Sequence, residues 1–147
     1  MPDVINKVLK ILDEPILCSF STITNDGKPW VRYVMAHADK NLLIRFPTHV
    51  SDRKVQQIEL NNEVHLTCGI TDPSVLKPYL QIQGTALLTE DKEVKLGLWH
   101  DQMEVAFNGP DDEDYGVIEV TPYSIELCEV GKQKADVLMI NQTNTSK

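Results

Sequence analysis

Residues 16–36 run ILCSFSTITNDGKPWVRYVMA, and this segment carries the clearest structural signal in the chain. Residues 16–24 are rich in β-branched and aromatic side chains and therefore predict a strand. Residues 25–27, Asn-Asp-Gly, tolerate the positive φ values of a tight hairpin turn. Residues 30–36 are the predicted return strand. The segment as a whole predicts an antiparallel hairpin.

Further short strands follow along the chain. They share runs of apolar, β-branched or aromatic residues bounded by turn-forming residues, and the longest of them alternates cleanly between apolar and polar side chains. We predict these strands at residues 42–46, 64–68, 79–89, 115–121 and 124–130, the last two forming a hairpin around Pro122.

Three segments predict helices. Residues 4–12 place their apolar side chains on one helical face. Residues 52–60 follow Ser51, the predicted N-cap, and residues 91–107 have apolar side chains at helical spacing. Regular alternation of strands and helices, which a parallel sheet needs, is missing. The pattern therefore predicts a mainly β fold, an antiparallel β-barrel with added helices.

The length of 147 residues predicts a single domain over residues 1–147, with a core over about 10–130 and a polar, peripheral tail over 131–147. No run of apolar residues approaches the ~18 that a membrane span requires. The first residues show no basic segment that leads into an apolar one, so no export signal is indicated. We expect a cytoplasmic protein that does not bind membranes.

Charge is unevenly distributed along the chain. The formal net charge is −8 at pH 7, so the overall field would repel nucleic acids. Residues 28–54 nevertheless contain six basic and two acidic side chains, a local charge of +4 that leaves −12 for the rest. A basic segment in an acidic protein favours a small anionic ligand over a polymer. Its basic members are Lys28, Arg32, Lys40, Arg45, Arg53 and Lys54.

Cysteines and histidines form no metal-binding pattern. The three cysteines lie far apart in apolar runs, and their odd number favours reduced, buried thiols over a disulfide framework. The four histidines are equally scattered, so we expect no metal site. These residues are Cys18, Cys68, Cys128, His37, His49, His65 and His100.

The strongest local signal for function is the sequence Ser51-Asp52-Arg53-Lys54. It combines a predicted helix N-terminus, which presents free N–H groups, with a hydroxyl, a guanidinium and an ammonium group. Arginine binds phosphate through two parallel hydrogen bonds, and lysine adds a point charge. The alternative is a helix cap followed by two solvated basic residues. Arg32, on a preceding strand, favours the phosphate site.

Other candidate residues are less specific. Trp30 and Trp99 would stack on an aromatic ligand or belong to the core, and Gln81 would donate to a ligand ring or face water. No motif for nucleophilic catalysis and no glycine-rich phosphate loop is present. Such a chain is expected to rely on a cofactor for its reactivity.

Four motifs occur in a specific order: NDGKPWVR at 25–32, FPT at 46–48, SDRKVQQI at 51–58 and NNEV at 61–64. This ordered set resembles the pyridoxamine 5′-phosphate oxidase-like FMN-binding split β-barrels. Leu98-Trp99 and the later FNGPDD at 107–112 resemble the general stress protein 26-like branch of that family. The resemblance covers roughly residues 10–130.

The resemblance implies an FMN site. It places Arg32 beside the flavin, residues 46–48 along the flavin edge, and Arg53 with Lys54 on the phosphate. It also implies a homodimer with the flavin at the subunit interface. The candidate cofactor-binding residues are Arg32, Val34, His37, Phe46, Thr48, Ser51, Arg53, Lys54, Gln57, Tyr79, Gln81 and Trp99.

Two differences from the oxidases concern the ring and the substrate. Tyr79 stands where the oxidases have a glutamine near the flavin ring, and His37 stands where they have a lysine. The arginine and histidine segment that binds their pyridoxal substrate has no counterpart after Val130. We therefore predict a flavin-dependent oxidoreductase acting on an unidentified small molecule. The alternatives are a non-catalytic flavin carrier or sensor in a stress response, and a relative that binds a deazaflavin or haem.

Overall fold

The computed structural model describes residues 2–140. These residues form three α-helices, namely α1 (Pro2–Leu12), α2 (Arg53–Leu60) and α3 (Lys92–Leu98), and a 3₁₀ helix, Asp101–Val105. They also form seven strands: β1 (Ile16–Ile23), β2 (Pro29–Ala38), β3 (Ile44–His49), β4 (Glu63–Cys68), β5 (Tyr79–Thr89), β6 (Tyr115–Cys128) and β7 (Asp136–Met139).

All pairings among these strands are antiparallel, and the sheet closes on itself. The strand order is β3-β2-β1-β4-β5-β6-β7, and β3 also pairs with β6. Six strands therefore make a closed barrel, and β7 extends the sheet beyond β6. The predicted mainly β fold, an antiparallel barrel with added helices, is confirmed. None of the helices within residues 2–140 is long and apolar enough to cross a membrane.

β2 and β3 pair over only part of their length, which leaves an opening in the barrel wall between the start of β2 and β3. β2 pairs with β1 from Pro29 to Ala36 but with β3 only at His37 and Ala38. The two strands therefore diverge toward the start of β2. Helix α2 follows β3 directly, and its side chains reach β2 at this opening, where Gln57 contacts Arg32. The opening is the part of the fold that positions the candidate site.

Alternate side chains of the strands fill the barrel interior. Phe20 of β1 and Phe46 of β3 are fully buried and meet edge to face, with their ring centroids 4.9 Å apart. Val8 and Leu12 of α1 belong to the same apolar cluster. Burying a large apolar side chain contributes about 1.5–3 kcal/mol. This shared interior therefore holds β1, β3 and α1 together.

A second, aromatic cluster lies where β6 begins. The ring of Phe107 lies 4.9 Å from that of Tyr115 and 6.5 Å from that of Trp99. Burial raises the pKa of Tyr115 to about 12, so its hydroxyl stays protonated and donates to the Lys95 carbonyl oxygen at 2.7 Å. This bond fastens α3 to the barrel.

The helix predicted over residues 91–107 is wrong in its extent. The structure divides it into α3, which ends at Leu98, and the separate 3₁₀ helix. Trp99 takes an extended conformation, with ψ of 137°, and places its ring 5.5 Å from that of Tyr115. A contact with a distant strand therefore ends the helix, although the helical spacing of apolar residues continues.

The predicted N-cap of α2 is also corrected. Asp52 caps the helix, and its Oδ1 accepts a hydrogen bond from the Lys54 backbone N–H at 3.2 Å. The hydroxyl of Ser51 donates to Asp114 at 3.0 Å instead. The helix consequently begins at Arg53, one residue later than predicted.

The hairpin predicted around Pro122 is a single continuous strand, β6, of 14 residues. Pro122 lies opposite Gly84, where the register between β5 and β6 shifts. Proline is tolerated at such irregularities, because the regular ladder is already interrupted there. A Cβ at Gly84 would lie 2.7 Å from the Thr121 carbonyl oxygen, so the close approach of the two strands requires glycine.

The peripheral tail predicted after Val130 is only partly correct. Asp136–Met139 form β7, which pairs with β6, and Leu138 and Ile140 pack against the main core. The sheet thus includes residues 136–139, although the polar residues around them had predicted a segment outside the core. Residues 141–147 of the predicted tail lie outside the described residues.

Candidate functional site

Arg32 donates to four acceptors of the protein at the opening between β2 and β3. Its Nη1 donates to the Thr22 hydroxyl at 2.8 Å, and its Nη2 donates to the Gln57 side-chain oxygen at 3.0 Å. The Thr22 hydroxyl donates in turn to the same Gln57 oxygen, which closes a triangle between β1, β2 and α2. Further bonds join Nη1 to the Phe20 carbonyl at 3.3 Å and to the Trp30 carbonyl at 3.2 Å. The guanidinium is therefore fixed in place by the protein itself.

Lys54 is a buried ammonium with two partners. Its Nζ donates to Asp52 Oδ2 at 2.9 Å and to the Thr48 hydroxyl at 3.1 Å. The side chain is only 10% exposed, and a charge in such a position requires a partner. An ammonium group has three N–H donors, so one remains for a further acceptor.

Arg53 lies over the indole ring of Trp30, with its guanidinium carbon 4.9 Å from the ring centroid. Within residues 2–140, no hydrogen bond or ion pair to another side chain involves this guanidinium. Stacking on an indole orients the planar group and leaves its N–H edges free. Arg53 therefore presents a fork of donors.

The electrostatics of this cluster favour an anion. Burial lowers the pKa of Arg32 from its ordinary value, and the charge of Arg53 lowers it further, whereas Asp52 raises it. An arginine begins far above neutral pH, so both guanidinium groups stay charged. Three cations, including Lys54, face one carboxylate, which leaves a local excess of two positive charges. Binding of an anion would relieve the repulsion between the arginines.

Asp114, in the loop just before β6, contacts both Ser51 and His49. Asp114 accepts hydrogen bonds from the Ser51 backbone N–H at 2.9 Å and from its hydroxyl at 3.0 Å, and it contacts His49 Nδ1 at 3.0 Å. The Ser51 bonds, followed by His49, lower the pKa of Asp114 below its usual range. The ring of Phe107 lies 4.5 Å from His49. The loop that contains Asp114 is therefore a structural support for the start of α2.

The structure brings together Arg32, Thr48, Arg53, Lys54 and Gln57 of the predicted set. Two other members have buried surroundings that do not belong to this cluster. Phe46 is fully buried against Phe20, and Val34 packs against the main core. Any contact of Phe46 with a ligand would come from its backbone. The contacts of Trp99 are with the aromatic cluster around Tyr115.

Tyr79 and Gln81 lie on the outer face of the sheet. Gln81 is in register with Thr67 of β4, which is in register with Ser19 of β1. Ser19 is paired in turn with Tyr33 of β2, so one row of outward side chains crosses four strands. Arg32, the neighbour of Tyr33, faces the other way. A hydrogen bond with Cys128 raises the pKa of Tyr79.

His37 lies apart from both groups. It is in register with Arg45 of β3, and the two side chains line a groove of about 290 Å³ together with residues of α3. Arg45 is paired with Glu119 at 2.7 Å, which neutralises one charge of the basic segment. Of the predicted residues, His37 is therefore not part of the cation cluster.

Three residues of the site were missed by the predictions. Thr22 links Arg32 to Gln57, Asp52 neutralises Lys54, and Asp114 fixes Ser51. The position of Asp52, directly before two basic residues at a helix start, is the kind of local signal that could have identified a cap and ion pair. Thr22 and Asp114 act across the fold, and nothing in their local sequence indicates those partners.

Residues 4–129 match the family model described as Pyridoxamine 5′-phosphate oxidase. The chain belongs to the pyridoxamine 5′-phosphate oxidase family. It is 31% identical over 131 residues to General stress protein 26 of Bacillus subtilis (strain 168), an alignment that covers 89% of this chain and 92% of that protein. The resemblance predicted from the ordered motifs is therefore confirmed.

Solved structures show the same fold. General Stress Protein 26 from Bacillus anthracis str. Sterne superposes with a TM-score of 0.82 and 23% identity, over 93% of this chain and 98% of that one. A pyridoxamine 5′-phosphate oxidase-related, FMN binding protein from Nostoc punctiforme has a TM-score of 0.67 and 12% identity, over 85% and 87% of the two chains.

Two other similar folds are named for different ligands. A heme binding protein from Mycobacterium smegmatis has a TM-score of 0.74 and 13% identity, over 95% of this chain and 59% of that one. An F420 Reductase has a TM-score of 0.63 and 24% identity, over 79% and 93%. At these identities the likeness concerns the fold alone.

Proposed function

We propose that this chain is a flavoprotein that binds FMN, with the phosphate at the start of α2. The observation that carries the proposal is the local excess of two positive charges at Arg32, Arg53 and Lys54 against Asp52. A phosphate monoester carries close to two negative charges at neutral pH. The charges therefore match one terminal phosphate.

The donors of this cluster suit a phosphate in kind as well as in charge. Arg53 offers a planar fork that no carboxylate of the described residues occupies, and Lys54 keeps one N–H for a further acceptor. Arg32 is already held by Thr22 and Gln57, so little side-chain entropy remains to be lost on binding. The FMN binding protein of similar fold supports the choice of FMN.

The outer face of the sheet supports a homodimer. It exposes three large apolar side chains of β2: Val31 is 63% exposed, Tyr33 76% and Met35 51%. Contiguous apolar surface of this kind is typical of protein interfaces. Gln81 lies on this outer face, whereas Arg32 faces the opening. We propose that two protomers pack here and that each flavin contacts both, which would allow both predicted residues to touch one cofactor.

The proposed activity is that of an oxidoreductase acting on a small molecule. FMN, when bound, supplies the redox chemistry. The chain's own residues bind and orient it: Arg53 and Lys54 at the phosphate, and Arg32 beside them. We place the protein in the cytoplasm, a location that the free thiols of its three cysteines support.

The similar folds named for heme and for F420 motivate two alternative ligands, a haem and a deazaflavin. A third alternative is a flavin carrier or sensor that catalyses no reaction. The absorbance spectrum of the purified protein separates these ligands, since flavin, deazaflavin and haem absorb differently. Turnover with a reduced nicotinamide and an electron acceptor separates an oxidoreductase from a carrier.

The decisive experiment compares two double variants in a titration with FMN, followed by quenching of flavin fluorescence. R53A/K54A removes the proposed phosphate ligands, each worth about 1.5–3 kcal/mol, so FMN affinity should fall at least about tenfold. K28A/K40A is the matched control, because it removes the same charge from exposed positions of the same segment. We expect the control to bind FMN like the wild type. Equal affinity of both double variants would refute the phosphate site.

A further inference from the structure

Two of the cysteines face each other across neighbouring strands. Cys18 of β1 and Cys68 of β4 are directly opposite in the antiparallel register. Both side chains are buried and belong to the same apolar cluster, so they lie on the same face of the sheet. This pairing brings together two thiols that are 50 positions apart in the sequence, and the proposed flavin site uses neither of them.

The register brings the two cysteines within the Cα separation of a disulfide. Directly opposed residues of antiparallel strands have Cα atoms about 4.5–5.5 Å apart. Disulfides span Cα separations of about 4.4–6.8 Å. The Cβ atoms of directly opposed residues are about 4.5–5.5 Å apart, and a disulfide needs about 3.5–4.5 Å, so the bond requires side-chain rotation and a small approach of the two strands.

The two thiols are chemically different. A hydrogen bond from Cys68 lowers the pKa of Cys18, and burial opposes this effect. The same bond, together with burial, raises the pKa of Cys68. The thiolate is the reactive form of cysteine, so these directions favour Cys18 as the attacking thiol and Cys68 as the second.

We propose that Cys18 and Cys68 are a redox-active dithiol that a peroxide converts to a cross-strand disulfide. The Cys18 sulfur attacks one peroxide oxygen and breaks the O–O bond, which gives a sulfenic acid and releases the other oxygen as water or an alcohol. The Cys68 sulfur then attacks the Cys18 sulfur, forms the S–S bond and releases the second oxygen as water. Two thiols lose two electrons and two protons, and the peroxide gains both.

Cys18 is only 1% exposed and Cys68 only 4%, so a small oxidant reaches the pair through local opening at this end of the β1–β4 pairing. Cys18 and Cys68 are the last residues paired between β1 and β4, and β4 ends at Cys68. Gly69 follows with φ of +123° and turns the chain away. Strand ends open more readily than the middle of a sheet, so local opening exposes these thiols without global unfolding.

The test uses the folded wild-type protein treated with hydrogen peroxide and then mapped by non-reducing peptide mass spectrometry. We expect two of the three thiols to be lost, a mass decrease of about 2 Da, and a crosslinked peptide that contains Cys18 and Cys68. Dithiothreitol should restore both thiols. Cys128→Ala is the matched control, because Cys128 is paired with neither, and it should form the same crosslink.

Cys68→Ala separates the two steps. Without the second thiol, Cys18 should stop at the sulfenic acid, which dimedone traps as a mass adduct. The proposal is overturned if the wild type gives sulfinic or sulfonic acids without a crosslink, if the crosslink joins Cys128, or if all three thiols survive peroxide that oxidises a free cysteine in the same tube. The map of the wild type decides the question even if a variant fails to fold.

Discussion

The substitution Gln57→Ala tests whether the Arg32 triangle holds the opening of the barrel. The side chain of Gln57 is buried, and its oxygen accepts hydrogen bonds from the Thr22 hydroxyl and from Arg32. A bond to a charged donor contributes about 1.5–3 kcal/mol and a neutral one about 0.5–1.5 kcal/mol. Removing the shared acceptor should therefore lower the free energy of unfolding by about 2–4 kcal/mol.

Urea unfolding of the ligand-free protein measures this loss, and thermal unfolding should show a decrease in Tm of about 5–15 °C for a chain of this size. Gln56→Ala is a close control, because Gln56 is the same residue type, one position earlier on α2, and exposed. Helix propensity and side-chain size change equally in both variants. The control should stay within about 0.5 kcal/mol of the wild type.

If Gln57→Ala and Gln56→Ala unfold at the same urea concentration, the triangle makes no net contribution to stability. The account of a guanidinium fixed before the ligand arrives would then be wrong. A large loss for Gln57→Ala with an unchanged Gln56→Ala would locate the stabilising contact in the buried side chain and not in the helix itself.

Three further outcomes are expected. Bonds from Ser51 lower the pKa of folded Asp114, so its carboxylate stabilises the protein above its unfolded pKa, and this stabilisation is lost as pH falls through the folded pKa. Asp114→Asn should therefore lower the Tm at pH 7. Thermal melts in acidic buffers should show the difference in Tm between variant and wild type closing below about pH 4. Tyr33→Asp should give a monomer in light scattering, and a persistent dimer would place the interface elsewhere. The flavin-loaded protein should not oxidise pyridoxamine 5′-phosphate, because residues 90–119 carry ten acidic side chains against two lysines and repel a second phosphate. A turnover of about one per second would contradict this prediction.

Local sequence patterns correctly predicted the turns and strands whose structure depends on neighbouring residues. The Asn-Asp-Gly turn is an example, since Gly27 adopts φ of +82° and the backbone N–H of Thr24 donates to the Lys28 carbonyl at 2.8 Å. Residues 79–89 are another example, because strict alternation matches a strand with one face on the core. In both cases the residues that determine the structure are adjacent in the sequence.

The predictions failed where a distant contact overrides a local preference. Ser51 and Asp52 can both cap a helix, and only Asp114, 63 positions away, decides between them by binding the serine hydroxyl. Trp99 could continue a helix, but packing on Tyr115 ends it. Neither outcome follows from spacing, because local windows contain no information about partners on another strand.

The candidate site also combines residues that are neighbours in the sequence with contacts that only the fold creates. Arg53 and Lys54 were found because they are neighbours at a helix start, yet the structure gives them different surroundings. Lys54 is buried and paired with Asp52, whereas Arg53 lies over an indole ring and has no carboxylate partner among residues 2–140. Arg32 lies on another strand, β2, and its hydrogen bonds to Thr22 and Gln57 orient it before any ligand binds. A site whose cations are already oriented loses little entropy on binding, so its affinity for a phosphate should depend on the fold as much as on the count of basic residues.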